Sequence, residues 1–361
     1  MKKDEKIYLV LPMQSSVYSS AYTIYNDLYL GLKKLNIESE IILVKADNNN
    51  ANFPYFKTEK LEIVNLKNFI DKNKGFYLLM DDFSILKYLF KNKIKLRNTL
   101  IWSHYFYGHK FIFKRYVRYP WTNFNEYNFT EILEFIPLYF LKKTAKFYYE
   151  TLNNHKTIAQ SVWTDLLLER VYDIHTEGIL YIPVEPNYYL MNNKKDNRIL
   201  VFLGGTTDSD LFALHKTIKI LEKLDSSLRY DSFGDKFVSD YFNKKFNFNL
   251  NYLGKLERKE LNNEYGRHLL TISPIYNGTF EMVPIESLLC GTPIITYVQP
   301  FMEVTGQSVL ISNINNEKEI ERNFYIWLKD IDNERLYMRN KILDVMENVK
   351  IGKELINKYI Y

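Results

Sequence analysis

Ser273-Pro274-Ile275-Tyr276-Asn277-Gly278-Thr279-Phe280-Glu281-Met282-Val283-Pro284-Ile285-Glu286-Ser287-Leu288-Leu289-Cys290-Gly291-Thr292-Pro293-Ile294-Ile295 is the stretch that decides the architecture. The apolar run Leu269 to Ser273 leads into it and reads as a buried parallel strand. A loop follows, then a helix from about Pro284 to Cys290. Gly291-Thr292-Pro293 stops that helix, because glycine closes a helix end in a left-handed turn and proline cannot continue it. Ile294 to Tyr297 is the next strand. Strand, loop, helix and strand in this order form the repeat of an open parallel sheet covered on both faces.

Outward from this stretch the alternation persists. Upstream, Ile199 to Leu203 is a strand, Gly204-Gly205 a turn and Leu211 to Leu224 a helix. Leu228 to Phe233 ends at Gly234, and the short strand Leu250 to Leu253 ends at Gly254. Downstream, Asn323 to Tyr361 reads as mainly helical and charged. Residues 185–197 mix Pro, Asn and charge without an apolar period and read as a linker. Before them a second series begins with the apolar run Ile7 to Leu11, a Ser-rich loop from Pro12 to Ser20, and a helical face of Leu28, Leu32 and Leu35. It continues through Ile41 to Val44, Phe76 to Met80 ending in Asp81-Asp82, and Thr99 to Trp102 ending in Ser103-His104. Lys156 to Gln160 and Ile179 to Val184 close it. The expectation is α/β: two Rossmann-like, doubly wound parallel-sheet domains facing a cleft, with ligands at the carboxyl ends of the strands. The expected boundaries are 1–184, a linker at 185–197, 198–340, and a helical tail at 341–361 whose expected place is back against the first domain.

Composition narrows the classes. At 361 residues the chain can bury a large core without disulfides or metal. The formal charge of +5, from 48 basic against 43 acidic residues, is too small for a dedicated nucleic-acid protein unless concentrated in a patch. The single cysteine, Cys290, suits a reducing compartment. The charged opening Lys2-Lys3-Asp4-Glu5-Lys6 does not read as a signal peptide, and no run of 18 uncharged apolar residues reads as a transmembrane helix. A cytoplasmic protein is the expectation.

The quoted stretch resembles the donor-binding signature of retaining GT-B glycosyltransferases of the group 1, or family 4, class. Phe280, Pro284, Glu286, Gly291 and Pro293 fall in register with it. In chemical terms, a carboxylate near a helix start can accept two hydrogen bonds from a ribose diol, and backbone amides at the same helix N-terminus can hold phosphate oxygens. Glu286 is thereby the ribose candidate, against the plainer reading of a helix-start carboxylate favoured by the macrodipole. The resemblance implies nucleotide-sugar contacts from Gly204, Gly205, Leu256, Gly278, Thr279, Phe280, Met282, Val283 and Glu286. Weaker similarity extends to Ile199–Gly204, to Asn251–Leu256 at the turn near the base, to Ile158–Thr164 late in the first domain, and to Glu303. The whole covers about half the chain.

Three departures stand beside it. The class's first glutamate position is Gly278 here, and a carboxylate sits at Glu281, where the class has glycine. Glu281 is either a substitute for the donor-sugar contact or a solvated carboxylate. The class's phosphate-binding Arg and Lys positions are Gly205 and Asp210. Lys216, Arg258 or Lys259 could supply the missing cations, or be surface charges. The loop Gln299-Pro300-Phe301-Met302 lacks the class's phosphate-loop glycines.

In the first domain, Ser15 and Ser16, with Ser19 and Ser20, occupy the loop that approaches the donor in this class. His104, after a strand end, stands where the class has a histidine touching the donor sugar. His104 and His109 are poorly spaced for a metal, and Asp81-Asp82 fits helix capping better than a metal motif. Residues 105–121 and 135–149 interleave aromatics with Lys and Arg. That pattern suits a peripheral membrane surface on the inner face, a nucleic-acid acceptor, or an aromatic core with solvated cations. The reading is a retaining, metal-independent glycosyltransferase without a cofactor. It would move a sugar from a nucleotide sugar to a hydroxyl of a lipid-linked glycan, polysaccharide or protein glycan, with His104 and Glu281 as catalytic candidates. The rival readings are an inactive GT-B-like glycan-binding or partner subunit, and a phage-type enzyme acting on modified DNA.

Overall fold

The computed structural model describes residues 6–12, 20–45, 63–104, 146–191, 195–204, 206, 208–275, 281–297, 301–329 and 331–360. The chain divides into two compact units. One runs to Val184 and takes up Met346–Tyr361; the other holds Glu185–Tyr276 and Glu281–Val345.

In the first unit, β1 (Ile7–Pro12) is followed by α1 (Ser20–Lys34), β2 (Ser39–Lys45), β3 (Ile63–Asn65) and α2 (Leu66–Lys72). Then come β4 (Phe76–Met80), α3 (Phe83–Lys91), β5 (Thr99–Ser103), α4 (Lys146–Asn153), β6 (Lys156–Ala159) and α5 (Val162–Tyr172). The strands lie in the order β3-β2-β1-β4-β5-β6, and every pairing is parallel. Strands β1, β4 and β5 are buried along their whole length, as unbroken apolar runs between two helical layers must be. Ile179 to Val184, expected as a closing strand, makes only isolated bridges, Ala159 to Ile179 and Val184 to Glu347. Its apolar residues Leu180, Ile182 and Val184 are buried nonetheless, so the sequence signalled burial and not ladder pairing.

The second unit holds β7 (Asp196–Leu203), α6 (Asp208–Leu224), β8 (Arg229–Gly234), α7 (Lys236–Phe246), β9 (Asn251–Tyr252), α8 (Arg258–Arg267) and β10 (His268–Ile272). It continues with α9 (Met282–Leu289), β11 (Ile294–Thr296), α10 (Met302–Thr305), β12 (Ile311–Asn313), α11 (Glu317–Trp327) and α12 (Asp332–Met346). Its strand order, β12-β11-β10-β7-β8-β9, repeats the order of the first sheet and is again parallel throughout. Each sheet therefore has one switch point, between β1 and β4 and between β7 and β10, where loops diverge and leave a crevice at the carboxyl ends.

The chain leaves the first unit after Val184 and re-enters it at Met346. The two ends are tied, Val184 N–H to Met346 O at 2.8 Å and Asn348 N–H to Val184 O at 3.0 Å. Helix α13 (Asn348–Glu354) then packs along α1 at two glycines, Gly31 and Gly352. Asn348 donates from its amide to Asp27 O at 3.1 Å, and Tyr359 donates to Ile179 O at 3.0 Å. No helix among the described residues is long and apolar enough to cross a membrane.

Candidate functional site

The deciding stretch leaves β10 at the switch point of the second sheet, beside the end of β7 at Gly204. Helix α9 ends in a Schellman turn: Thr292 N–H reaches Ser287 O at 2.9 Å, Gly291 N–H reaches Leu288 O at 3.0 Å, and Gly291 takes φ 71°. Ser287 anchors the helix to β10, donating to Thr271 Oγ1 at 2.9 Å and to Thr292 O at 3.0 Å. The helix is buried from Met282 to Leu289, so its register cannot slip. At its start, Glu281 occupies the cap position but its side chain makes no cap hydrogen bond. Glu281 therefore leaves the first-turn amides of Met282 and Val283 without a cap from the cap residue itself, and a helix N-terminus of this kind can hold phosphate oxygens.

Glu286 is the fifth residue of α9 and only 6% exposed. It lies past the first turn, where the macrodipole acts, so the helix-start reading does not account for it. Its carboxylate is aimed by two tyrosines: Tyr189 donates to Oε1 at 3.2 Å and Tyr265 to Oε2 at 3.4 Å. Arg258, the first residue of α8, donates to the Tyr189 hydroxyl at 2.6 Å and lies over the Tyr188 ring, 4.4 Å from its centroid. Burial, then the Glu286 charge, pushes the Tyr265 hydroxyl well above the ordinary tyrosine value. Tyr265 therefore remains a donor at any physiological pH. A carboxylate offers about four lone-pair sites, and Tyr189 and Tyr265 fix how those of Glu286 are directed.

Of the remaining donor candidates, Met282 and Val283 are buried in the first turn of α9, and Gly204 and Leu256 are half-buried. A Cβ at Gly204 would stand 2.5 Å from the Phe202 ring, so any other residue at this strand end would have to push that ring aside. Lys259 and Lys216 are exposed, whereas Arg258 belongs to the Glu286 network. Asp210, at the position of the class's lysine, is buried in the first turn of α6. Ser15, Ser16, Gly205, Gly278, Thr279 and Phe280 lie outside the described residues, as do 105–121 and most of 135–149.

In the first unit a second polar cluster sits at the carboxyl ends of β4, β5 and β6. Asp81 is 1% exposed and accepts from Ser103 Oγ at 2.7 Å, Tyr148 OH at 2.9 Å and His104 N–H at 2.9 Å. The capping expectation for the pair holds at Asp82, which accepts from Ile85 N–H at 3.3 Å; Asp81 instead organises the strand ends. His104 is 4% exposed and packs on Trp102, with ring centroids 4.3 Å apart. Gln160 donates from its amide to His104 O at 2.9 Å, which turns its carbonyl oxygen to His104 Nδ1 at 3.1 Å. The proton is therefore on Nδ1. Burial drives the imidazole down to about 3, against a smaller opposing effect of Gln160, so the ring is neutral. Among the described residues, the buried Nε2 has no hydrogen-bond partner.

Sequence reading missed Tyr189, Tyr265 and Gln160. Tyr189 lies in the stretch read as linker, where Pro186–Tyr188 forms a 3-10 turn and Tyr189 is fully buried. Among the described residues no group of three or more His, Cys, Asp or Glu is gathered closely enough to hold a metal ion.

No family model matches the chain, and no curated protein matches it in sequence. Solved structures do match in shape. A sucrose-phosphate synthase from Thermosynechococcus elongatus superposes with a TM-score of 0.66 at 12% identity, over 98% of this chain and 98% of its own. An alpha-glucosyltransferase solved with UDP and DNA containing an HMU base gives 0.62 at 11% identity, over 98% and 99%. TarM of S. aureus, solved with Fondaparinux, alpha-GlcNAc-glycerol and UDP, gives 0.61 at 11% identity, over 99% and 100%. At such identities the likeness shows the fold, and the fold is that of the GT-B glycosyltransferases: two parallel-sheet α/β domains.

Proposed function

We propose that this chain is a glycosyltransferase that holds a nucleotide-sugar donor on its second unit and transfers the sugar to a hydroxyl acceptor on its first. One observation carries the reading. Glu286, in register with the donor signature, is buried at the switch point of the second sheet with its carboxylate aimed by Tyr189 and Tyr265. The ribose hydroxyls would donate to Glu286, and the N-terminal turn of α9 would take the diphosphate. Arg258 is the cation best placed near that carboxylate to offset the missing Arg and Lys. In the first unit, the bare Nε2 of His104 would accept from a sugar hydroxyl. Transfer would proceed with retention, the acceptor hydroxyl attacking and the leaving phosphate taking its proton on the same face. No protein base or metal is then required. The partners in this reading are a nucleotide sugar and a glycan or lipid-linked acceptor; the neighbour solved with DNA supports nucleic acid only by fold.

A second reading, an inactive glycan-binding or partner subunit, is favoured by Asp210, a buried carboxylate where a diphosphate would want a cation. Donor hydrolysis separates the two. Incubation of the chain with UDP-, GDP-, ADP-, CMP- and dTDP-sugars should release free sugar slowly from one donor, with the anomeric configuration kept in the NMR spectrum. Tight binding without turnover of any donor, alone or with glycan acceptors, would favour the second reading.

A further inference from the structure

A cavity of about 450 Å³ opens at the amino ends of β4 and β5, the end of the first sheet opposite Asp81 and His104. This is the size of a small-molecule pocket. Leu66 and Ile70 from α2, Leu89 from α3, and Ile94 and Leu96 from the connection after α3 give it an apolar floor, which the polar Asn73, Tyr77 and Asn98 border. Its rim is cationic, with Lys74, Lys95 and Arg97, and no carboxylate lines it among the described residues.

The sequence explains the construction. Residues 93–98, Lys-Ile-Lys-Leu-Arg-Asn, alternate, so Ile94 and Leu96 turn inward, half-buried, while Lys93, Lys95 and Arg97 are exposed. Left-handed backbone at Lys93 (φ 50°) and Asn98 (φ 52°) fixes both ends of this segment, and Leu96 N–H meets His155 Nε2 at 3.4 Å in its middle. None of Lys74, Lys95 and Arg97 forms an ion pair with a described residue. Three like charges at one mouth repel each other and leave their hydrogen-bond donors to water. Apolar side chains beneath a cationic rim that forms no ion pair among the described residues are complementary to an apolar chain with an anionic head.

We infer that this cavity binds an anionic amphiphile, a ligand with an apolar chain and a phosphate or carboxylate head. The chain occupies the space between α2 and α3, and the head is held by Lys74, Lys95 and Arg97. The same chemistry is presented by a free alkyl phosphate and by a lipid headgroup in a membrane. The site does not depend on the glycosyltransferase reading, since it lies at the end of the first sheet opposite Asp81 and His104.

The test is calorimetric titration of the intact chain with octyl, decyl and dodecyl phosphate, each below its micelle threshold. Binding at one site should tighten by about fourfold for each added methylene, as burial of alkyl surface requires, until the cavity is filled. Inorganic phosphate should not bind. The double variant Lys95→Glu/Arg97→Glu, at exposed positions that leave the core intact, should weaken decyl phosphate by at least about tenfold. Vesicles distinguish the sources. Anionic vesicles bound by the wild-type chain and not by the double variant identify a membrane lipid; alkyl phosphate binding without vesicle binding identifies a free amphiphile. The inference is overturned if no alkyl phosphate binds, if affinity is independent of chain length, or if charge reversal changes nothing. Capture of a short DNA duplex through these cations, without alkyl phosphate binding, would overturn it equally.

Discussion

Gln160 grips His104 at two points, donating to its carbonyl oxygen at 2.9 Å and receiving its ring Nδ1 at 3.1 Å. The two bonds orient the imidazole and select its tautomer at once. In long-range nitrogen–proton NMR spectra, the His104 ring, identified by its loss in His104→Gln, should show a protonated Nδ1 and a bare Nε2. The pattern should not change between pH 7 and pH 5, because burial holds the ring down to about 3. In Gln160→Leu the tautomers should mix. The same burial sets a pH dependence of stability. Between about pH 6.5 and pH 3 the unfolded ring takes a proton that the folded ring refuses. Stability is therefore lost as pH falls, by ~1.4 kcal/mol per pH unit from this ring. His104→Gln should flatten that slope.

At the amino ends of the second sheet, Asp231 is fully buried and accepts from Asn251 at 2.7 Å, with His268 Nε2 at 2.9 Å and Arg198 paired to it. Burial alone would raise its carboxyl; the bonds from His268, Arg198 and Asn251 outweigh it and hold the group below the usual carboxylate range. This stabilisation is present above the ordinary value near 3.9 and fades as pH falls below it. Asp231→Asn leaves Arg198 without its countercharge. It should cost about 3–5 kcal/mol by urea unfolding at pH 7, and less below pH 4.

A Cβ on Gly31 would sit 2.3 Å from the Asn348 carbonyl oxygen, across the α1–α13 contact. Alanine gains up to about 1 kcal/mol over glycine within a helix, but overpacking against backbone costs about 1–3 kcal/mol. Gly31→Ala should therefore lower the Tm. An unchanged or higher Tm would mean that α13 does not lie where the fold places it.

Much of the fold was legible. The strand runs of both sheets other than the short edge strands β3 and β12, the α/β alternation and the helix stop at Gly291 follow from unbroken apolar runs and turn residues. The candidate site was legible where its placement follows local sequence, in the helix that carries Pro284 and Glu286 and at the strand end at Gly204. It was not legible where distant segments meet. Tyr189 sits among Pro, Asn and Lys with no apolar period, and only the folded chain brings its hydroxyl to Glu286 from 97 residues away. Gln160 reads as the end of a strand, and its partner His104 is 56 residues upstream. Val184 reads as strand, yet it pairs with the bridge at Glu347, which no periodicity could signal.

The most direct test of donor binding at Glu286 is thermal-shift titration with UDP-, GDP-, ADP-, CMP- and dTDP-sugars, wild type beside Glu286→Gln and Glu286→Ala. One nucleotide should raise the wild-type Tm, by the equivalent of ~2.7 kcal/mol at a hundred times its Kd. Both variants should lose at least about tenfold in affinity for it, the worth of a charge-assisted hydrogen bond. A panel without any stabilising nucleotide, or variants that bind as the wild type does, would contradict a donor site at this carboxylate.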